Sequence, residues 1–257
     1  MTIYSKGMDA NENALVIFTK NPVTGKVKTR MAKKIGDTMA LKVYMQLLKH
    51  TREITQELEF CEKKIFYNEF IPARDTWNDE FYDKHMQGDG DLATKMARAY
   101  KLMFDEGYQK VIILSPDCPD MTGMRIKQAF SLLSNKDFVI GPLKDGGYYL
   151  LGMNSYRPEV VENTEFGKGT AFEKTVEIFE KLGASYKVLP ETFDVDYAEE
   201  IPERLRKVVG LELTTADEVD DEELEEADVD DEEFGTDDDD ENDGYADDKE
   251  EDLDDEE

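Results

Sequence analysis

The loop at residues 20–30 holds the side chains of this sequence that are best suited to chemistry. It follows an apolar run at 14–18 and carries one glycine, Gly25, and four cations: Lys20, Lys26, Lys28 and Arg30. The run is typical of a buried strand, and the loop after the first strand of an α/β sheet lies where such folds bind ligands. Gly25 allows backbone N–H groups to approach an anion, which the cations would neutralise. The loop therefore predicts a phosphate site, although a solvated basic turn would have the same composition.

A second group of chemical side chains follows the apolar run at 111–114. The sequence there is Ser-Pro-Asp-Cys-Pro-Asp, which places Asp117 and Asp120 directly after a strand that is predicted to be buried on both faces. A rigid carboxylate beside a phosphate loop suits Mg²⁺ or Mn²⁺, because these hard cations take oxygen ligands. Asp117 is thus a candidate metal ligand. The alternative is a turn in which both carboxylates accept backbone hydrogen bonds.

Two further carboxylates, Asp194 and Asp196, follow the last apolar run. Alternate residues of an extended segment point the same way, so both side chains could face one site. The alternative for either residue alone is a helix cap.

The segment at 141–149 is a third candidate, because it combines an acid with a glycine pair. Gly146 and Gly147 permit close backbone approach to a ligand, and Asp145 could accept a proton from a hydroxyl group. Asp-Gly is also a common turn signal, so a tight turn between two strands is the alternative.

Strands that alternate with helices position these groups. Apolar runs predict strands at 14–19, 64–67, 111–114, 138–140, 148–151 and 186–189. Three helices are predicted to begin after the capping residues Asp37, Asp89 and Thr122, and Gly107 is predicted to end the helix that follows Asp89. Two more helices are predicted, one that begins at Thr170 and one within residues 197–209. Residues 71–88 have no clear periodicity. The pattern predicts an α/β fold with a mostly parallel sheet between two helix layers.

The distribution of charge separates a nearly neutral part of the chain from a strongly acidic one. Residues 211–257 contain 29 of the 61 acidic residues and one of the 31 basic ones, so residues 1–210 carry 32 acids against 30 bases. We expect a flexible N-terminus at 1–12, one folded domain at 13–210 and a disordered acidic tail at 211–257. The folded part offers no basic surface for nucleic acid, whereas the charge of the tail suits basic partners.

Cysteine content and hydropathy indicate a cytoplasmic protein. The two cysteines, Cys61 and Cys118, are far apart in sequence, which suits a reducing compartment. No secretory signal and no apolar run of membrane-spanning length is apparent. Cys118 is expected to be a small buried side chain, and His50 and His85 lack the spacing of zinc ligands.

Five stretches resemble, in order, the motifs of one known family. They lie at 18–30, 90–99, 117–120, 141–152 and 194–196. The family consists of GT-A-fold, nucleotide-diphospho-sugar transferase-like proteins, often labelled arsenosugar-biosynthesis-type glycosyltransferases, and the resemblance covers about residues 14–205. Two motifs depart from its pattern. The family has Thr-Pro-Glu-Asp where this chain has Tyr-Ala-Glu-Glu at 197–200, and Trp-Gly-Thr-Ser where it has Phe-Gly-Lys-Gly-Thr at 166–170.

The resemblance implies a Rossmann-like GT-A fold, a three-layer sandwich that binds a nucleotide at the carboxyl edge of its sheet. By analogy, Asp117 and Asp196 would be metal ligands, and the loop with Lys20, Gly25, Lys26, Lys28 and Arg30 would hold phosphates. The turn with Gly146, Gly147 and Tyr148 would contact the sugar or the acceptor. Apart from the resemblance, the position of Asp145 in this turn suits a catalytic base for the acceptor hydroxyl.

These expectations converge on a metal-dependent glycosyltransferase with a nucleotide-sugar donor and a small-molecule acceptor. Two alternatives stay open. One is nucleotidylyl transfer to a phosphorylated small molecule, because four loop cations suit a triphosphate and the same fold supports both chemistries. The other is a non-catalytic scaffold that recruits basic partners through its acidic tail. Neither nucleic acid nor a membrane is expected as a partner.

Overall fold

Short apolar runs and amphipathic segments alternate along the chain, and the fold follows that alternation. The computed structural model describes residues 12–164 and 166–212. The strands are β1 (Asn13–Thr19), β2 (Glu62–Tyr67), β3 (Tyr82–Met86), β4 (Lys110–Leu114), β5 (Phe138–Pro142), β6 (Tyr148–Met153) and β7 (Tyr186–Val188). The helices are α1 (Thr29–Ile35), α2 (Asp37–Thr55), α3 (Leu92–Asp105), α4 (Gly123–Leu132), α5 (Glu159–Glu162), α6 (Ala171–Lys181) and α7 (Glu203–Val209).

The strands form a seven-stranded sheet in the order β3-β2-β1-β4-β6-β5-β7. Only β6 is antiparallel to its neighbours, which are β4 and β5, and the remaining pairs are parallel. The carboxyl ends of six strands therefore lie at one edge, and β6 begins there. This is the mostly parallel mixed sheet that the sequence predicts, and the fold-class prediction is confirmed.

Alternate strand residues bury against two helix layers. In β1, Leu15 and Ile17 lie in one cluster, with apolar residues of α2 and α4. Ala14 and Val16 lie in the other, with residues of α3 and α6. The sheet is consequently covered on both faces, as its continuous apolar strands require.

A third, smaller cluster fixes the segment that follows β7. Val195, Ala198 and Ile201 are buried there against Met31 of α1 and Val43 of α2. This packing holds residues 194–196 next to the start of α1, although more than 160 residues of chain separate the two.

Helix starts were predicted with mixed success. Thr122 caps α4 by accepting a hydrogen bond from the Arg125 N–H, as expected, and Gly107 follows the end of α3 with φ +98°. The prediction for Asp37 is wrong, because α2 begins directly after a separate short helix and its cap is Gly36. The prediction for Asp89 is wrong by two residues, because Asp91 accepts the Thr94 N–H.

Several expectations lie outside the described residues or are not tested by the fold. The flexible N-terminus falls almost wholly on residues 1–11, and the acidic tail on residues 213–257, which the structure does not describe. Leu211 packs against the third cluster. Of the described helices, none is both long and apolar enough to cross a membrane.

Candidate functional site

The side chain of Lys28 lies at the centre of the candidate site. Its Nζ is 2.7 Å from Asp196 Oδ1 and 3.1 Å from Asp117 Oδ1, and only 5% of the side chain is exposed. Burial alone would lower the pKa of Lys28, but the two carboxylates outweigh burial and raise it. The ammonium is therefore charged and lies between two acids that come from distant parts of the sequence.

The backbone of the β1–α1 loop delivers this lysine. Lys28 caps α1 in the left-handed conformation, with φ 51° and ψ 46°, which is unfavourable for a residue with a Cβ. Val27 is buried in the core on one side of it. Gly25 has φ +79°, and the Lys26 N–H donates to the Val23 carbonyl to close a tight turn. The loop thus places Lys28 inward.

The start of the loop is held by two buried side chains that were not predicted to have a role. The Tyr44 hydroxyl accepts the Lys20 N–H at 2.9 Å and contacts the Thr19 hydroxyl. Asn21 pins the neighbouring loop after β2, because its side chain donates to the Phe70 carbonyl and accepts from the Glu69 and Phe70 N–H groups. The only sequence signal for these hydrogen bonds was an Asn close after the first predicted strand.

Asp117 leaves the sheet directly after β4, as the sequence predicts. The Ser115 N–H donates to the Tyr149 carbonyl of β6, and the Thr51 hydroxyl donates to the Pro116 carbonyl. Asp117 Oδ1 is buried and makes no hydrogen bond, although it lies within ion-pair distance of Lys28. Next to it, burial and the nearby carboxylates raise the pKa of the buried Cys118 thiol, which does not suit a nucleophile.

Burial of Val195 turns the side chains on either side of it towards the site. Asp196 contacts Lys28 and also lies 3.7 Å from Arg30 Nη1. Burial would raise the pKa of Asp196, but Lys28 and Arg30 lower it. The pKa of Asp194 shifts in the opposite direction, since burial and the carboxylates of Asp196 and Asp145 raise it to about 7. A carboxyl group with such a pKa is typical of functional sites.

The Asp-Gly-Gly segment between β5 and β6 is a tight turn at the same edge. Asp145 Oδ1 accepts the Gly147 N–H at 2.8 Å, and the Leu143 N–H donates to the Gly147 carbonyl. Asp145 is exposed, and its charge contributes to the raised pKa of Asp194. The Tyr148 ring packs with Phe166 at a centroid distance of 5.8 Å, and its hydroxyl is buried without a hydrogen bond.

The other predicted cations are spread around the site. Lys20 is exposed at the end of β1, close enough to help lower the Asp196 pKa. Lys26 Nζ pairs with Glu69 at 3.0 Å and is exposed. The Arg30 guanidinium, which the first turn of α1 presents, lies over the Tyr197 ring at 5.9 Å. The structure therefore gathers Lys20, Lys28 and Arg30 near Asp196, whereas Lys26 is paired on the β2 side of the loop.

These residues fit a divalent cation only in part. Within residues 12–164 and 166–212, no three His, Cys, Asp or Glu side chains are arranged to hold a metal ion. Asp117 and Asp196 offer carboxylate oxygen atoms as metal ligands. Asp117 Oδ1 accepts no hydrogen bond from a described residue other than Lys28, so its lone pairs suit a metal ion. Mg²⁺ commonly binds through one or two carboxylates and takes its other ligands from phosphates and water. The chemistry of the donor set thus fits a metal that arrives together with a phosphorylated ligand.

The sequence matches a family model, and the fold is similar to known crystal structures. A model of the family described as "Uncharacterized protein conserved in bacteria (DUF2064)" matches residues 53–168. A crystal structure of a "putative nucleotide-diphospho-sugar transferase" from Desulfovibrio desulfuricans G20 is similar, with 29% identity, a TM-score of 0.65, and coverage of 72% of this chain and 83% of that one. The chain is thus similar over most of its length to a protein described as a nucleotide-diphospho-sugar transferase, and over residues 53–168 to the DUF2064 family.

Two other crystal structures are similar at a lower level. The homologue of Mycobacterium tuberculosis Rv0371c from Mycobacterium sp. strain JC1 is 12% identical, with a TM-score of 0.49 and coverage of 79% and 99%. The bifunctional IspDF of Campylobacter jejuni is 11% identical, with a TM-score of 0.48 and coverage of 74% and 53%. Both are too distant to bear on function. No curated protein matches the sequence.

Proposed function

We propose that this protein is a divalent-metal-dependent glycosyltransferase that takes a nucleotide sugar as donor and a small molecule as acceptor. The observation that carries the proposal is the buried Lys28 ammonium between Asp117 and Asp196 at the carboxyl edge of the sheet. Parallel α/β sheets bind ligands at this edge. The similarity to the Desulfovibrio desulfuricans protein supports a nucleotide-sugar donor.

The balance of charges argues that a phosphorylated ligand needs an added cation. Asp117 and Asp196 contact Lys28, and the charges of Asp145 and Asp196 both act on Asp194. A diphosphate brought beside these acids would be repelled at short range, because the interior screens charge poorly. A divalent cation held by Asp117 and Asp196 would reverse that repulsion.

Each predicted residue has a role in this proposal. When bound, Mg²⁺ or Mn²⁺ would neutralise the charge that develops on the departing diphosphate. Lys20, Lys28 and Arg30 would orient the phosphates from the side of α1, and the Gly25 turn, with Lys26, would shape the outer rim of the loop.

The turn after β5 would bind the other half of the reaction. Asp145 is fixed through one oxygen by the Gly147 N–H, so its second oxygen is free to accept a proton from the acceptor hydroxyl. Gly147 would allow the sugar or the acceptor to approach the backbone, whereas Gly146, which packs against the Gly169 carbonyl, would shape the turn. Tyr148 would support the turn through its packing with Phe166.

Nucleotidylyl transfer is the main rival, and the structure weakens the argument for it. The sequence offered four loop cations for a triphosphate, but Lys26 is paired with Glu69, which leaves Lys20, Lys28 and Arg30 for the phosphates. Fewer uncommitted charges suit a diphosphate better.

The test compares the two chemistries on one full-length preparation. Nucleotide sugars and nucleoside triphosphates are first screened by thermal shift with and without Mn²⁺, since a ligand at ~100 times its Kd adds about 2.7 kcal/mol of stability. Products are then identified with the ligands that bind. Release of a nucleoside diphosphate or monophosphate from a nucleotide sugar would support the proposal. Release of pyrophosphate from a triphosphate, without turnover of any nucleotide sugar, would replace it with nucleotidylyl transfer.

A further inference from the structure

The Lys28 ammonium lies where the proposed metal would have to bind. Its Nζ contacts Asp196 Oδ1 at 2.7 Å and Asp117 Oδ1 at 3.1 Å, and the side chain is almost fully buried. Both oxygens belong to the carboxylates that suit a divalent cation. A metal ion bound through these two oxygen atoms would displace the ammonium, because two cations that use the same atoms repel each other.

We propose that Lys28 is a built-in competitor of the metal: it neutralises Asp117 and Asp196 in the free protein and leaves them when a metal and a diphosphate bind together. The inference rests on the proposed metal dependence and adds a role that the reaction alone does not require. It makes Lys28 a positioning residue whose ammonium moves between two sets of anions.

Two observations favour a movable lysine over a fixed structural ion pair. The contact of the ammonium with Asp117 Oδ1 is 3.1 Å, longer than the 2.7 Å to Asp196 Oδ1, so Asp117 holds the ammonium less closely. The four-carbon stem of lysine also allows its ammonium to reorient while the backbone stays in place.

A consequence is coupling between the two ligands. The metal alone must displace a buried charge from both of its ion-pair partners, so it should bind weakly. A diphosphate supplies a new anion for the displaced ammonium and further oxygen atoms for the metal. Each ligand therefore raises the affinity for the other by the same factor.

The experiment measures binding of Mn²⁺ to the full-length protein by electron paramagnetic resonance of the free ion. The variants are Lys28→Gly, which removes the ammonium and suits the left-handed backbone, and Lys28→Met, which keeps most of the side-chain volume. Lys26→Met is the matched control, because this lysine belongs to the same loop but pairs with Glu69. Thermal unfolding of each variant establishes that it is folded.

Without nucleotide, we expect Lys28→Gly and Lys28→Met to bind Mn²⁺ roughly tenfold more tightly or better, because they leave two carboxylates uncompensated. Lys26→Met should bind like the wild type. If Lys28→Met does not fold, Lys28→Gly alone decides. Equal or weaker Mn²⁺ binding by the folded Lys28 variants would overturn the proposal, since Lys28 would then be neutral or helpful to the metal.

The coupling is tested by repeating the titration with ADP, GDP, CDP and UDP in turn. In the wild type, the nucleotide that binds should increase Mn²⁺ affinity, and the increase should be smaller in Lys28→Gly. An equal increase in both proteins would contradict the proposed movement of Lys28. The result is separable from the proposed reaction: tighter Mn²⁺ binding without turnover of any nucleotide sugar would refute only the reaction, and turnover with unchanged Mn²⁺ binding would refute only the competition.

Discussion

The Cα of Gly146 lies against the carbonyl of Gly169, so closely that a Cβ at position 146 would be 1.8 Å from that oxygen. The contact joins the turn after β5 to the segment that precedes α6, and the Phe172 N–H donates to the Gly146 carbonyl beside it. Gly146 also has φ +85°. The turn that carries Asp145 is thus locked to the start of α6 by backbone alone, and no side chain fits between them.

Gly146→Ala should therefore destabilise the protein strongly. The left-handed conformation alone costs about 1–2 kcal/mol, and the clash with the Gly169 backbone adds to it. Gly183→Ala is the control, because Gly183 has φ +61° but nothing within 4 Å of a Cβ. Urea unfolding should give a clearly larger loss for Gly146→Ala. Equal losses of stability in the two variants would show that the segment around Gly169 shifts readily to accommodate the added Cβ.

Asp117→Asn tests the metal ligand at constant shape. The amide cannot supply a charged oxygen, so we expect Mn²⁺-dependent nucleotide binding to fall by at least about tenfold, which corresponds to ~1.4 kcal/mol. Asp120→Asn is the control, since Asp120 follows the same strand but pairs with Arg204 at 2.8 Å. Isothermal titration calorimetry with and without Mn²⁺ measures both. Unchanged affinity in Asp117→Asn would remove this residue from the metal site.

Asp194→Asn should stabilise the metal-free protein. Burial and the neighbouring acids Asp196 and Asp145 make an ionised Asp194 unfavourable, so an uncharged side chain of the same shape relieves that cost. Because the group is only half-buried, we expect a gain of about 1–2 kcal/mol in the free energy of unfolding at pH 8 with EDTA present. Asp145→Asn, at the exposed turn, should gain less. A loss of stability in Asp194→Asn would mean that its carboxylate is well compensated.

The strands and the edge that carries the site were predictable because both depend on local signals. A wholly apolar run such as 111–114 has few structures available to it besides a strand buried on both faces, and β4 occupies it. Asp117, Asp145 and Asp196 each follow an apolar run. Parallel strands then bring such residues to one edge whatever the details of the loops.

The pairing of Lys28 with Asp196 was not predictable, because 168 residues separate the partners and cluster packing brings them together. The sequence assigned Lys28 to phosphate, since nothing local shows that an acid will neutralise it. The helix α1 was missed because seven residues, four of them charged or polar, give a weak helical pattern. The edge strand β3 was missed as well, because its three central residues, Asp83 to His85, are all polar and give no apolar run.

The His85 side chain should make stability depend on pH. Its ring stacks on Phe66 at 4.8 Å, and its Nε2 is buried without a hydrogen bond. Burial lowers its pKa, with Lys64 acting in the same direction and Glu106 and Asp83 opposing. The folded state therefore resists a proton that the unfolded chain accepts, and stability is lost as the pH falls below the ordinary value of about 6.5.

His85→Phe keeps a ring in the stack and removes the titration. Unfolding free energies of the two proteins between pH 8 and pH 5 should diverge, with the wild type losing more stability at the acidic end. The carboxylates contribute alike to both proteins, so the difference isolates His85. Parallel curves would show that His85 is solvated well enough to accept a proton in the folded state.

Removal of residues 213–257 tests the expectation that this acidic segment adds no core. Ending the chain at Glu212 keeps Leu211 in its cluster and removes most of the net charge of −30. We expect the melting temperature to stay nearly unchanged, because a segment so rich in acids and poor in apolar residues buries little surface.

The truncated protein should bind an anionic nucleotide more tightly at low salt, since fewer acids repel the ligand. That advantage should disappear as ionic strength rises, because screening shortens the reach of the charges to about 8 Å at 0.15 M. A large fall in melting temperature on truncation, or an affinity gain that persists in high salt, would instead indicate direct contact between the acidic segment and the folded residues.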